Sequence, residues 1–279
     1  MHKIRMIGLD LDGTLLTDAK ELLPYTRNVL ERATAAGIEV VAATGRPYTG
    51  LPKAFKEIPG IRYAVTVNGA RVVDMKTEEM VYEALLPQEK VIEVMNIFYD
   101  YDMLSEVYEN GQSYLNEEFW DHLSDYFKDP HMENYIRTTR KTVPDVWEVV
   151  HKSVNGMEKA QAIFKTPEDQ ASCRARIEQI SDVKPVSSVA YNIEVSRADV
   201  NKGSSLLKLG EILGIKPEEI MACGDADNDK EMIEWCGLGV AMANSIPDVK
   251  AVADFVALSN NEEGVAKAIE EFVLKPINA

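Results

Sequence analysis

The chain has 279 residues, 46% of them apolar and 27% charged, which is the balance of a globular protein able to bury a sizeable core. Its net charge of −16 argues against a nucleic-acid or anionic-membrane partner, because both need a basic surface. If the ligand is a phosphate, the site itself must offset its charge.

The first 85 residues alternate strand and helix patterns. Ile4 to Asp10 reads as a buried strand, and Pro24 to Ala36 as a helix opened by proline and stopped by Gly37. Glu39 to Thr44 is a second strand, Pro47 to Ile58 a helix interrupted by Gly50 and Pro52, and Tyr63 to Val67 a third strand. Arg71 to Asp74 and Met80 to Glu83 form a hairpin. After Leu86-Pro87 the pattern changes. A helix over 88–101 precedes an acidic, aromatic stretch with a turn at Asn110-Gly111. A strand over 158–165, a helix opening at Thr166-Pro167 and two β runs between Val183 and Val195 follow. From Asn201 the alternation returns: a helix over 203–213, strands at 219–225 and 238–243, a short helix near 230–235 and another over 247–253. A last strand at 254–258 and a helix over 262–274 complete it.

This order predicts an α/β core with parallel strands and right-handed crossovers, made of residues 1–85 and 195–279. An α+β domain at 86–194 is expected as an insertion. The three cysteines, Cys173, Cys223 and Cys236, contain no CxxC pair, so neither a disulfide framework nor a zinc knuckle is expected. The histidines His2, His122, His131 and His151 have no metal-ligand spacing. There is no signal-peptide pattern and no apolar stretch near the ~20 residues of a membrane span, so a cytoplasmic location is expected.

Ligands of open parallel sheets collect beyond the carboxyl ends of the strands. There the first strand delivers Asp10, Asp12 and Thr14; read as a strand end, i and i+2 would set the two carboxylates side by side. The second delivers Thr44-Gly45-Arg46, the third Asn68-Gly69, and the strand at 219–225 delivers "GDADND", with Asp225, Asn228 and Asp229. Converging carboxylates without Cys or His fit Mg²⁺. Thr44 and the N–H groups after it offer an anion site at an expected helix start. Lys202 opens a helix, where the dipole disfavours a cation, and a bound phosphate would explain it. One carboxylate can then attack phosphorus while its neighbour handles the proton.

Each motif taken singly has an ordinary explanation. Asp12-Gly13 can be a turn, Asp227 or Asn228 a helix cap, Thr44-Gly45 a β-to-α turn, and Lys202 a solvated side chain. Their joint occurrence at the predicted strand ends speaks for a site. Arg46 is expected in a surface ion pair, Asn68-Gly69 either at the site or only in the turn to the hairpin, and Cys223 as a small buried residue. The aromatic run Tyr108, Tyr114, Phe119, Trp120 and Tyr126 reads as core. No Walker A or GxGxxG pattern is present.

The motifs "DLDGT" (10–14), "TGR" (44–46), "NKG" (201–203) and "GDADND" (224–229), in that order, resemble haloacid dehalogenase-like phosphatases. The insertion point is similar to that of the Cof-like group with an α/β cap. The resemblance implies a Rossmann-like core with helices on both faces, a cap at 86–194 that closes over substrate, and Mg²⁺ as cofactor. It implies Asp10 as nucleophile and metal ligand, and Asp12 as acid/base and metal ligand through its carbonyl. It also implies Leu11 and Gly45 as N–H donors to phosphate, Thr44 and Lys202 as phosphate-holding side chains, and Asn228 near the phosphate. Asp225 would be a metal ligand and Asp229 a support of the metal shell. The family's usual serine before Asn-Gly is Val67 here.

The function expected is Mg²⁺-dependent hydrolysis of a small phosphorylated metabolite, such as a sugar phosphate, through an aspartyl-phosphate. Acids at Glu109, Glu117, Asp121 and Asp125 are candidate cap contacts for a hydroxyl-rich substrate. A phosphomutase of the phosphomannomutase type is the alternative; it needs a basic cluster in the cap, for which Arg137, Arg140 and Lys141 are the candidates. A receiver-like regulator phosphorylated on Asp10 is a third reading, disfavoured by Asp12 and by the large insertion. The oligomeric state is left open.

Overall fold

The apolar runs of this sequence become strands because they alternate with amphipathic helices that cover both sheet faces. The computed structural model describes residues 3–127, 130–187 and 191–278. His2 and the middle of the expected 183–195 β region, residues 188–190, lie outside them. In chain order the strands are β1 (Met6–Leu9), β2 (Glu39–Ala43), β3 (Tyr63–Thr66), β4 (Arg71–Asp74) and β5 (Glu79–Glu83). Then come β6 (Met103–Glu109), β7 (Gln112–Asn116), β8 (Arg140–Val143), β9 (Lys159–Phe164), β10 (Val183–Val186) and β11 (Asn192–Arg197). The last are β12 (Ile220–Gly224), β13 (Leu238–Ala241) and β14 (Phe255–Val256).

The chain divides into two compact units, one of Met1–Gly45, Leu51–Glu83 and Asn201–Ala279, the other of Arg46–Gly50 and Ala84–Val200. The first holds a sheet of order β14-β13-β12-β1-β2-β3-β4-β5. Its strands are parallel from β14 to β3, and β3-β4 and β4-β5 are antiparallel. β1 and β12 are adjacent and in register, Leu9 opposite Cys223. Strand order reverses there, so the loops after β1 and β12 open side by side.

Local signals account for the helix that matters most to the site. Asn201 caps Lys202–Leu213: its Oδ1 accepts from the Ser204 N–H at 2.8 Å, and its own N–H donates to Ser204 Oγ at 3.1 Å. Lys202 is thereby fixed as the first helical residue, and Leu206 and Leu209 on the same helix join the apolar core over β1, β2 and β12.

Two expectations fail. The region Pro47 to Ile58 is not one helix but a single turn at Tyr48–Gly50 and a four-residue helix, Lys53–Lys56, because Pro52 denies the chain a continuous N–H ladder. No helix N-terminus therefore follows Thr44-Gly45 directly. The expected terminal helix is present, as an α segment, Gly264–Ile269, a π turn, Glu270–Leu274, and a last α turn, Lys275–Asn278.

The second unit is a sheet of order β10-β11-β9-β6-β7-β8. Residues alternate across its pleat. Met103 and Val107 of β6, with Ala160 and Ala162 of β9, pack under the helices Gln88–Phe98 and Pro167–Ile177. The opposite alternation buries polar groups. Glu106 pairs with Arg140 at 3.2 Å, Lys159 with Glu194 at 2.5 Å, and Tyr108 Oη donates to Glu106 at 2.7 Å. Burial lowers the Lys159 ammonium from its usual value despite Glu194 beside it. Of the expected aromatic core residues only Tyr108 is fully buried; Tyr114, Phe119, Trp120 and Tyr126 are partly buried on the clusters. Among the described residues no helix is long and apolar enough to cross a membrane.

Candidate active site

β1 ends at Leu9, so Asp10 and Asp12 lie in the loop beyond it rather than on one strand face. Asp10 is still held by the sheet, its N–H donating to the Cys223 C=O at 3.0 Å. Asp10 is buried, whereas Asp12 is partly exposed and pairs with Lys20 at 2.9 Å. Between them the Leu11 side chain is buried, and its C=O accepts from the Leu16 N–H at 2.8 Å.

Lys202 joins the loops after β1 and β12. Its ammonium donates to Asp10 Oδ1 and to Asp229 Oδ1, both at 2.6 Å, with the three side chains almost completely enclosed. Asp229 Oδ2 accepts from the N–H groups of Asp225 at 2.9 Å and Ala226 at 3.0 Å. Asp225 Oδ1 accepts from Thr14 Oγ at 2.7 Å. Gly13 makes this approach possible: with φ +84°, a Cβ there would stand 2.5 Å from Asp225 Oδ2.

The electrostatics follow from burial. Desolvation raises the Asp10 carboxyl well above its usual value; Lys202 opposes the shift, and Asp229, Asp225 and Asp12 add to it. Asp225 is pushed up to about 7, by burial first and by Asp229 next, against Thr14 and Lys202. Burial alone would lower Lys202, but Asp10 and Asp229 outweigh it and hold the ammonium above its usual value. Excess negative charge of this kind favours a cation. Oxygens of Asp10, Asp225 and Asp229 lie within 4.8 Å of one another, and an all-carboxylate donor set fits a hard divalent metal ion.

Thr44, Asn68 and Asn228 form a second hydrogen-bonded set. Thr44 is buried just beyond β2, and its C=O accepts from the Asn68 N–H at 2.9 Å. Asn68 Oδ1 accepts from Asn228 Nδ2 at 2.9 Å. Gly45 follows Thr44 and is half-buried. Asp10, Lys202, Asp225 and Asp229 are thus joined by direct hydrogen bonds, Thr44 and Asn228 are linked through Asn68, and Asp12 pairs with Lys20.

Arg46 is not at the surface, where it was expected. It is buried, with its guanidinium 4.4 Å from the Tyr135 ring centre and Nη1 donating to the Gly50 C=O at 3.0 Å. The basic cluster is also committed within its own unit: Arg140 to Glu106, and Arg137 to Glu133 and the Trp120 C=O, while Lys141 is exposed. Glu117, Asp121 and Asp125 are exposed and Glu109 is half-buried. Cys223 is buried, as expected. Sequence reasoning gave no role to Thr14, Lys20 or Ser205. Thr14 stood in a quoted motif; for Lys20 and Ser205 no pattern in the chain marks their contacts.

The model of the haloacid dehalogenase-like hydrolases matches residues 7–269. The chain is similar to the 5-amino-6-(5-phospho-D-ribitylamino)uracil phosphatase YitU of Bacillus subtilis (strain 168), 31% identical over 96% of this chain and 97% of that protein. It is also similar to the pyridoxal phosphate phosphatase YbhA of Escherichia coli (strain K12), 27% identical over 95% of this chain and 97% of that protein. A solved haloacid dehalogenase-like hydrolase from B. subtilis superposes with a TM-score of 0.87 at 28% identity, covering 97% of this chain and 100% of that one. Match, fold and acidic strand ends agree: the chain belongs to the haloacid dehalogenase-like hydrolases.

Proposed function

We propose that the protein is a Mg²⁺-dependent phosphatase that hydrolyses a small phosphorylated metabolite, a sugar phosphate or similar phosphomonoester, through an aspartyl-phosphate. The observation that carries this reading is the buried Asp10–Lys202–Asp229 arrangement beside Asp225. Asp10 attacks phosphorus, forming a carboxylate O–P bond as the P–O bond to the leaving group breaks. Asp12 gives its proton to the leaving alcohol, then takes one from the water that attacks the same phosphorus. That second step frees Asp10 and releases inorganic phosphate. Lys202, the Thr44 hydroxyl, the N–H groups of Leu11 and Gly45, and the Asn228 amide hold the phosphoryl oxygens.

Asp10, the Asp12 carbonyl and Asp225 would hold the Mg²⁺, with Asp229 supporting them. Both Asp229 oxygens already serve Lys202 and the N–H groups of Asp225 and Ala226, which suits support better than direct ligation. When bound, the metal would offset charge on the phosphoryl oxygens. The segment 86–194 is assigned the choice of substrate. Two relatives are named for phosphoesters of a uracil derivative and of pyridoxal, which supports a small phosphomonoester as the substrate class.

Turnover of p-nitrophenyl phosphate with Mg²⁺, abolished by EDTA and restored by added Mg²⁺, tests the reading. Activity that survives EDTA contradicts the metal assignment. A screen of phosphorylated metabolites scored for released phosphate identifies the substrate, and isomerised sugar phosphate without phosphate release contradicts hydrolysis.

A further inference from the structure

The phosphatase reading, on which this inference rests, gives no role to the turn Val67-Asn68-Gly69 between β3 and β4. All three residues have positive φ: 50° at Val67, 54° at Asn68 and 100° at Gly69. Asparagine and glycine visit that region readily, but a β-branched residue there is an outlier. Positive φ at an Asn-Gly pair is ordinary in a tight hairpin turn, so the departure from hairpin chemistry is at Val67. Strained backbone persists where the surroundings over-determine it, and it clusters at functional sites.

The surroundings here are the site's own motifs. The Asn68 N–H donates to the Thr44 C=O at 2.9 Å, beyond β2. The Gly69 C=O accepts from Ser205 Oγ at 2.7 Å, in the helix that Lys202 opens. A Cβ at Gly69 would lie 2.3 Å from the C=O oxygen of Asn201, the cap of that helix. Asn68 Oδ1 accepts from Asn228 Nδ2 at 2.9 Å, in the loop after β12. One buried turn therefore ties together three stretches that carry phosphate-holding candidates. Asn228 depends on it most. Its Oδ1 is buried and makes no hydrogen bond among the described residues, so the bond from Nδ2 to Asn68 sets which way the amide faces.

We propose that Asn68 is a positioning residue for Asn228, engaging one Nδ2 proton so that the other is presented to a phosphoryl oxygen of the substrate. The left-handed turn is what brings the Asn68 amide to that position, and Gly69 allows the turn to lie against the helix cap.

Asn68→Gly tests this, because glycine keeps the positive φ and removes only the amide. The variant is expected to lose about tenfold in kcat/KM on p-nitrophenyl phosphate and about tenfold in inhibition by inorganic phosphate. Its melting temperature should stay within about 3 °C of the parent. Asn228→Ala should lose at least as much, and the double variant no more than Asn228→Ala alone. Parental activity in Asn68→Gly, or losses that multiply in the double variant, would overturn the assignment. A glycine variant that no longer folds would also overturn it, since the turn would then serve the sheet. If the parent protein neither hydrolyses p-nitrophenyl phosphate nor binds phosphate, the phosphatase reading itself fails, and this assignment with it.

Discussion

The Lys202 ammonium donates to Asp10 Oδ1 at 2.6 Å, although the two residues are 192 positions apart in the chain. The positive end of a helix dipole disfavours a cation at the first helical residue. Asp10 and, on the same ammonium, Asp229 reverse that balance. Deleting one partner of a buried ion pair costs about 3–5 kcal/mol, because the other charge is left uncompensated. Lys202→Met, which keeps the volume, is therefore expected to lower stability by that order in the metal-free protein. It should also lower kcat/KM by about a hundredfold or more. Urea unfolding and steady-state kinetics check the two effects.

Thr14 acts one step further out. Its hydroxyl donates to Asp225 at 2.7 Å, and a group that orients a metal ligand typically contributes about 10–100-fold to metal affinity. Thr14→Val is expected to raise the Mg²⁺ concentration for half-maximal activity by that factor, with kcat at saturating Mg²⁺ within about threefold of the parent. A Mg²⁺ titration of activity reads both.

Asp74 at the end of β4 gives a pH signature away from the site. Arg62 bonds its Oδ2 at 2.8 and 2.6 Å, and the Lys76 N–H bonds its Oδ1 at 3.0 Å. Chiefly through Arg62, these bonds hold the carboxyl below its usual value of 3.8. A lowered folded-state value means that the stabilisation is present above the unfolded value and is lost as pH falls through the folded one. Asp74→Asn is expected to cost about 1 kcal/mol near pH 7, since Arg62 is half exposed and screened, and less as pH drops below about 3.8. Urea midpoints of both proteins across that range should converge on the acid side.

The acidic strand ends are legible in the sequence because an apolar run that stops abruptly at Asp10 or Asp225 marks both a buried strand and its exit. Parallel register then brings those exits together: Leu9 opposite Cys223 puts Asp10 and Asp225 in neighbouring loops. The strand reading of Asp10 to Asp12 does not hold, because period-two alternation applies only while the chain is a strand, and β1 stops at Leu9. The buried pairs Glu106–Arg140 and Lys159–Glu194 have no local signal, since their partners lie 34 and 35 residues apart. Val67 is equally opaque: valine belongs in strands, and nothing in the local sequence marks its left-handed backbone. Arg46 sits in a recognisable triplet, but the Tyr135 ring against it comes from the helix Pro130–Thr139, 89 residues on, and no local signal pairs the two.

The central claim is that Asp10 attacks phosphorus, and Asp10→Asn tests it most directly. The measurement is kcat/KM on p-nitrophenyl phosphate at saturating Mg²⁺, with a thermal melt to show that the variant is folded. Loss of the nucleophile is expected to reduce turnover about a thousandfold or more in a folded protein. Activity within about threefold of the parent would contradict the account.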